Sequence, residues 1–432
     1  MGNFKMLPGD IVLNILKRLP TESVLDCKLV SKTWNKVISH KSYSQSHLNH
    51  LLNNLDPAGS SGGKFTFLTV NDNPIYAYRL FHYIEFYDKN FSSEEQPFHR
   101  VARMKLNPAP FKFYNFCGSS NGLVCLNGVL DNEWVNYEPL YICNPITREF
   151  VFLPEFERTY DRHERLVTGF GYVSKTNEYK VVRMYNLRKE PNSVHVEVYT
   201  LGSGKGWRNI GKKFNKELKM FTSIRGLLLN GSLYYELSDG NIPVFDLASE
   251  TFSELPEGFP ISWTLGVLGG YLSATYYDKE SKTFKVLLLK ENKKKNNNKK
   301  KKEDGPSLTW IKEFSLSNMD TFEYLVLTGR GTVLCRSETE VQMYDLNSSS
   351  SKLLVDFGKD KGIFEAIPHM HTLVSLKALG EENTKTMETT DVPLPEDVKF
   401  DNPWEEMFYQ RRVQDGDDEY YQCVRAAPCR LQ

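Results

Sequence analysis

Residues 142–154 read ICNPITREFVFLP and residues 244–256 read VFDLASETFSELP, which sets Asn144 on Asp246, 102 residues later. A third copy, MYDLNSSSSKLL (343–354), places Asp345 a further 99 residues on. In each, an Asx residue opens a turn, where its side chain can accept from the backbone two residues ahead. The flanking residues are aromatic or β-branched, types that suit a pleated, half-buried surface. Two more strings return at a similar distance. SKTNEYKVV (174–182) answers KESKTFKVL (279–287), setting Tyr179 on Phe284 at 105, and WRNI (207–210) answers WIKE (310–313) at 103. Each copy of the first element also follows a turn-bounded strand: SSNGLVCLNG, LLNGSLYYEL and LTGRGTVLCR. An ordered return of this kind is a structural repeat. A unit of about 100 residues holds about eight short strands, or two four-stranded sheets. Packing such sheets around a ring buries their aromatic faces and leaves only short, protected edges. Residues 65–380 are therefore expected to form an all-β propeller of six to eight blades. A β-sandwich would explain the alternation but not the recurrence.

Outside the repeat, composition narrows the function classes. The 432 residues carry 54 Lys+Arg and 54 Asp+Glu, a formal charge of zero, which argues against a general nucleic-acid binder. No apolar run approaches the ~18 residues of a membrane-spanning helix, and the first residues lack an apolar leader core. Seven cysteines (27, 117, 125, 143, 335, 423 and 429) are scattered, with no C-x-x-C pair. That pattern fits buried thiols in a reducing compartment, cytoplasmic and/or nuclear, and not a disulfide or zinc framework.

The first 50 residues follow a helical period. Ile11, Val12, Ile15, Leu16 and Leu19 line one face of a helix that Pro8 begins, with Asp10 in its first turn. Pro20 ends it, Thr21 is placed to cap a second helix carrying Val24, Cys27 and Val30, and Ser31 a third carrying Trp34, Val37 and Ile38. Three short helices bury little surface by themselves, so such a module is expected to complete its core against a partner. Residues 51–64 (through Asp-Pro-Ala-Gly-Ser-Ser-Gly-Gly) read as a linker, and 291–305 (ENKKKNNNKKKKEDG) as a solvated insertion within one blade. Residues 381–432, polar and then acidic, read as a disordered tail.

Two resemblances follow from these strings. Leu7-Pro8, Ile15-Leu16-x-x-Leu19-Pro20 and Cys27-x-x-Val30-Ser31-x-x-Trp34 together resemble the F-box. The resemblance implies docking onto a Skp-type adaptor, and through it to the cullin and RING subunits of an SCF ubiquitin ligase. Leu7, Pro8, Ile11, Ile15 and Leu16 would form the exposed docking edge, with Val12, Leu19 and Pro20 on the same helix–turn. Val24, Cys27, Val30 and Trp34 would join the helices and extend that edge. The repeat region resembles the plant F-box-associated interaction domain, including S-locus F-box-like and F-box/kelch-like proteins. The matching strings are SSNGLVCL, NPITREFVFLP, GFGYVSKTNEYKVVRMY, VEVYTLGSGKGWRNI and HTLVSL (371–376). A kelch signature is weak, since only Gly269-Gly270 offers a glycine doublet. The two resemblances imply an α+β chain: a small three-helix F-box, then a propeller that captures a target protein for ubiquitylation. Two other readings stay open, an adaptor-bound scaffold or inhibitor and, more remotely, a propeller enzyme or lectin.

Catalytic and metal chemistry find little support in the sequence. His369 and His371 could begin a metal site, but no further His or Cys lies at ligand spacing, so neither metal nor cofactor is expected. Cys125 and Cys143 sit in expected strands as small buried hydrophobes. GSGKGW (202–207) lacks the Gly-Lys-Ser/Thr ending of a phosphate loop and reads as a hairpin connection. Cys429 heads a C-a-a-X-like ending with Leu431 and Gln432, a prenylation candidate from which the charged Arg430 departs.

Overall fold

Pro8 and Pro20 start the first two helices. Both are N-cap residues in extended geometry, with φ −53° and −54° and ψ 143° and 148°. The computed structural model describes residues 8–53, 64–72, 79–87, 99–104, 113–129, 136–154, 166–187, 190–214, 220–255, 260, 263–291, 308–317, 323–327, 331–337, 339–357 and 362–387. Its helices are α1 (Gly9–Lys17), α2 (Thr21–Cys27), α3 (Lys32–Ile38) and α4 (Lys41–Asn53). Ser31 caps α3 by accepting from the Trp34 amide at 3.1 Å. Thr21 does not cap α2: Pro20 holds that position, and the Thr21 hydroxyl donates to the carbonyl of His371 at 2.9 Å.

The strands follow in chain order: β1 (Lys64–Asp72), β2 (Arg79–Tyr87), β3 (His99–Met104), β4 (Phe113–Ser120), β5 (Leu123–Val129), β6 (Asn136–Asn144) and β7 (Glu149–Phe152). Next come β8 (Leu166–Val173), β9 (Glu178–Leu187), β10 (Glu190–Thr200), β11 (Trp207–Phe214), β12 (Leu227–Leu229), β13 (Ser232–Tyr234), β14 (Pro243–Asp246) and β15 (Thr251–Glu254). The remainder are β16 (Thr264–Leu268), β17 (Tyr271–Asp278), β18 (Thr283–Glu291), β19 (Leu308–Ser317), β20 (Glu323–Leu327), β21 (Thr332–Arg336), β22 (Glu340–Asp345), β23 (Ser350–Asp356) and β24 (Gly362–His369). A short helix α5 (Leu376–Leu379) and β25 (Lys385–Thr386) end the described chain.

Among the described residues these strands make five sheets of four and one of five. Each is an antiparallel meander, except that β24 returns to pair with β1 in the order β24-β1-β2-β3 and β25 adds to β7 in the five-stranded sheet. The strands β4, β8, β12, β16, β20 and β24 touch one another in that cyclic order, and β24 touches β4. The sheets therefore stand around a closed ring, a β-propeller. The last strand joins the first sheet, so chain from both ends of the repeat region is hydrogen-bonded into one sheet where the ring meets itself.

The recurring Asx turns fall where a two-sheet period requires. Asn144, Asp246 and Asp345 end the third strands β6, β14 and β22, in every second sheet. The Asn144 Oδ1 accepts from the Ile146 and Thr147 amides, the Asp246 Oδ1 from Ser249, and the Asp345 Oδ1 from Asn347. Each turn closes with a left-handed residue: Arg148, Glu250 or Ser349. Trp207 and Trp310 both lie in fourth strands. The pairing of SKTNEYKVV with KESKTFKVL is different. Residues 174–177 join the first and second strands of their sheet, whereas 279–282 join the second and third. That similarity reports a shared hairpin turn, with Asn177 and Lys282 both left-handed, and not an equivalent place in the repeat. Residues 292–307, which hold most of the lysine-rich insertion, lie outside the described residues; β18 and β19 on either side pair from Thr283↔Ser317 to Glu291↔Leu308, with one register shift between Val286 and Leu287.

The largest shared core lies between the second and third sheets. There Cys125, Ile142 and Val151 meet Phe170, Tyr179, Val181 and Tyr199. Leu48 and Leu52 of α4 enter the same core, so the helices are packed directly on the ring. Residues 371–374 join the two parts. The Thr21 and Ser44 hydroxyls of the helices donate to the carbonyls of His371 and Leu373, at 2.9 and 2.8 Å. The Asn144 Nδ2 of the ring donates to the intervening carbonyls of Thr372 and Val374, at 3.0 and 2.7 Å. The side chains divide likewise: Leu373 lies in the helical core with Leu16, Val24 and Ile38, while Val374 and Leu376 lie in the ring core. Gly122, at φ +90°, is needed because a Cβ there would fall 1.8 Å from the Thr372 hydroxyl oxygen.

Order extends past the expected end of the ring at residue 380. Glu381 is buried and accepts from the Gly202 amide at 2.6 Å and the Tyr199 hydroxyl at 3.2 Å. β25 pairs with β7, and Met387 is buried beside it. Local composition marked this stretch as tail, but contacts with chain about 180 residues earlier hold it in place. Residues 388–432, including Cys429, lie outside the described residues.

Asn144→Ala would strip partners from two buried carbonyls and two turn amides together. The expected loss is about 2–4 kcal/mol, read as a lowered urea midpoint. A loss under ~0.5 kcal/mol would mean that solvent replaces these bonds.

Candidate functional site

The α1–α3 module carries an exposed apolar surface. Ile11 and Ile15, one helical turn apart on α1, are 43% and 42% exposed, and Leu29 and Val30 between α2 and α3 reach 87% and 65%. Leu13 and Val37 are exposed as well. Open side chains of this size, so close in sequence, mark a surface built to be covered.

The residues singled out from sequence separate into two groups. Pro8, Pro20, Ile11, Ile15 and Val30 are on the outside. Leu16 is only 2% exposed and Val24 is fully buried; with Ile38, Tyr43 and Leu373 they form the inner core. Val12, Leu19, Cys27 and Trp34 pack half-buried against it. Leu16 therefore belongs to the core and not to the exposed edge, because α4 and Leu373 cover the α1 flank on which it lies. Val30 is turned outward and does not join the helices. Leu29 was missed because it lies in the turn after α2, where helical periodicity no longer tells the faces apart. Leu7 lies outside the described residues.

The histidine pair is structural in its contacts. The His369 Nδ1 meets the Ser119 Oγ at 2.9 Å, the His371 Nδ1 bonds the Glu22 carboxylate of α2, and the rings lie edge to face with centroids 5.7 Å apart. Each ring thus engages a different part of the junction between helices and ring. No group of three His, Cys, Asp or Glu among the described residues could hold a metal ion. Cys125 and Cys143 are buried in β5 and β6, and burial pushes both thiols well up, away from the reactive thiolate. GSGKGW connects β10 to β11, and Gly202 lies against the Leu379 carbonyl, where a Cβ would fall 1.8 Å away. No helix among the described residues is long and apolar enough to cross a membrane.

Comparison with known proteins bears on both parts of the chain. Residues 79–302 match the family described as "F-box associated beta propeller domain", and residues 4–44 match "F-box domain". F-box protein At3g07870 of Arabidopsis thaliana is 28% identical over 288 residues, covering 59% of this chain and 61% of that protein. Putative F-box protein At3g23960 of Arabidopsis thaliana is 27% identical over 269 residues, covering 60% and 62%. Putative F-box protein At1g46984 of the same plant is 24% identical over 366 residues, covering 83% and 86%. The chain spans about three fifths of the length of the first curated relatives it matches. A solved DUF4784 family protein from Bacteroides caccae aligns over 71% of this chain and 92% of its own at 11% identity and a TM-score of 0.34, a distant likeness that adds nothing to the topology above.

The junction is expected to respond to acid. Burial, aided by the adjacent His371 ring, pushes the His369 pKa down from 6.5 to about 3. Below about pH 6.5 the unfolded chain takes up a proton that the folded chain refuses until about pH 3. Stability from this group is therefore complete above that window and falls as pH drops through it, by up to ~1.4 kcal/mol per pH unit. Urea midpoints should fall between pH 7 and pH 5, and His369→Gln should flatten that fall. An equal fall in the variant would assign the effect to another group.

Proposed function

Because this chain belongs to the F-box associated beta propeller family, with an F-box domain ahead of the propeller, we propose that it is the substrate-receptor subunit of an SCF-type ubiquitin ligase. F-box domains bind Skp-type adaptors, and the observation that carries the reading is the open apolar surface of Ile11, Ile15, Leu29 and Val30 within residues that match that domain. Pro8, at the start of α1, borders this surface, with Leu7 just before it. The buried Leu16 and Val24, and the half-buried Val12, Leu19, Cys27 and Trp34, act one step removed by holding the helices in the docking arrangement. Pro20 sets the angle between α1 and α2.

In this reading the helices through α4 form the adaptor-binding unit, and the six sheets are six blades whose connecting loops take a target protein. The chain contributes no catalytic group. It raises the local concentration of target lysines near a charged conjugating enzyme supplied by the adaptor, cullin and RING subunits. Packing of α4 into the ring core supports such a role, because a target held by the ring then keeps a set position relative to the adaptor. The site of action is cytoplasmic or nuclear, where those partners work.

Covering a Leu or Ile side chain contributes roughly 1.5–3 kcal/mol, so Ile11→Ser with Leu29→Ser should weaken adaptor binding on the order of a hundredfold or more. Both residues are on the surface, so the thermal midpoint should hardly move. Affinity purification of the intact chain and the double variant, each under proteasome inhibition, tests the reading by quantitative mass spectrometry. Adaptor and cullin should leave with the substitutions, while a target protein should stay bound and accumulate in cells. Undiminished adaptor recovery would defeat the docking assignment. Loss of the adaptor with no protein accumulating would leave a scaffold or inhibitor in place of a receptor.

A further inference from the structure

The strands at the centre of the ring surround a cavity of about 580 Å³, within the size range that holds one small organic molecule. Its wall is mostly apolar, with Phe170 from β8, Leu265 from β16, Tyr276 from β17 and Ile367 from β24. Trp263 stacks on the Tyr276 ring at 4.8 Å with 7° between the planes, and the Lys285 Nζ lies over the same ring at 5.9 Å from its centroid, so the ring is held rigidly at the wall. Thr264 and Tyr277 line the cavity and are also exposed, so it opens to solvent beside them.

The polar groups narrow the chemistry further. Arg225 is the one charged side chain among the described lining residues, and it is ion-paired with Glu365 from β24. The other Glu365 oxygen accepts from the Phe116 amide at 3.0 Å, so the carboxylate is anchored from two sides. A guanidinium carries five N–H donors, more than one carboxylate oxygen engages. Because Glu365 already neutralises Arg225, a second anion would meet a carboxylate beside the guanidinium. A neutral molecule brings no charge out of water, and a carbonyl oxygen on it can still accept from Arg225.

We propose that this cavity binds a small, flat, neutral molecule carrying a carbonyl acceptor, with its apolar body against Phe170 and Tyr276 and its carbonyl on Arg225. This goes beyond the receptor role and does not depend on it. The same cavity wall runs into the helix junction: Ala366, Ile367 and Pro368 line the cavity, and His371, which bonds Glu22 of α2, follows within three residues.

The test uses the full chain and prodan, a neutral naphthalene ketone dye, with the parent dimethylaminonaphthalene lacking the ketone as comparator. Prodan should bind saturably at one per chain with blue-shifted emission. Thr264→Trp places an indole at the exposed mouth and should weaken binding at least about tenfold at an unchanged thermal midpoint. Arg225→Met with Glu365→Gln removes donor and carboxylate together, so no buried charge is stranded. It should weaken the ketone dye about tenfold, the worth of one hydrogen bond, and leave the ketone-free dye unchanged. Ile11→Ser with Leu29→Ser should keep full dye binding, which separates the cavity from the exposed helix surface. The proposal is overturned by the absence of saturable binding, by folded Thr264→Trp chain that binds as well as the parent, or by loss of the dye in the helix-surface variant. Should Thr264→Trp fail to fold, the paired Arg225 and Glu365 substitution decides.

Discussion

The fold turns on a short segment outside any helix or strand, His371 to Val374, whose successive carbonyls bond alternately to the helices and to the ring. It gives the His371 and Leu373 carbonyls to Thr21 and Ser44 of the helices, and the Thr372 and Val374 carbonyls to Asn144 of the ring. Side chains divide in the same way, Leu373 into one core and Val374 into the other. A shift of one residue would exchange every partner and place both apolar side chains in the wrong core. The register of these residues therefore sets how the helices sit on the ring.

Other features follow from it. β24 completes the first sheet, closes the ring and leads straight into this segment, so ring closure and helix docking are consecutive along the chain. The helical module has too few apolar residues to make a core alone. It obtains Leu373 from more than 300 residues away, with α4 as a second support. Inward-facing residues are thereby covered from within the same chain, which leaves Ile11, Ile15, Leu29 and Val30 as the surface still open to a partner. The central cavity shares β24 with this junction, so its wall and the helix mount belong to one continuous stretch of backbone.

Periodicity made much of this legible. The i, i+4 spacing of Ile11 and Ile15 marked an apolar helix face, and both are exposed on it. The same stripe did not separate Leu16, which points inward, because a stripe wider than one row of side chains has two flanks and only neighbours decide which is covered. The Asx turns at Asn144, Asp246 and Asp345 carried the two-sheet period because their side chains satisfy turn amides at matching places in alternate sheets. The 174–182 and 279–287 strings misled for a related reason: any tight hairpin needs a left-handed residue and small polar neighbours, wherever in a sheet it occurs.

By itself, the sequence determined what depends on near neighbours: helices opened at Pro8 and Ser31, a break at Pro20, strands bounded by turns, the two-sheet repeat, and a family likeness in both the helical and the repeat regions. Tertiary structure alone decided what depends on residues far apart in sequence. It drew the Thr21 hydroxyl away from a helix cap to His371, placed Leu373 in the helical core, and ordered Glu381 and Met387 beyond the expected end of the ring. It also paired Arg225 at the cavity wall with Glu365, 140 residues away in sequence. Local pattern reports which backbone shape a residue favours. It cannot report which distant carbonyl, carboxylate or apolar side chain will meet that residue once the ring has closed.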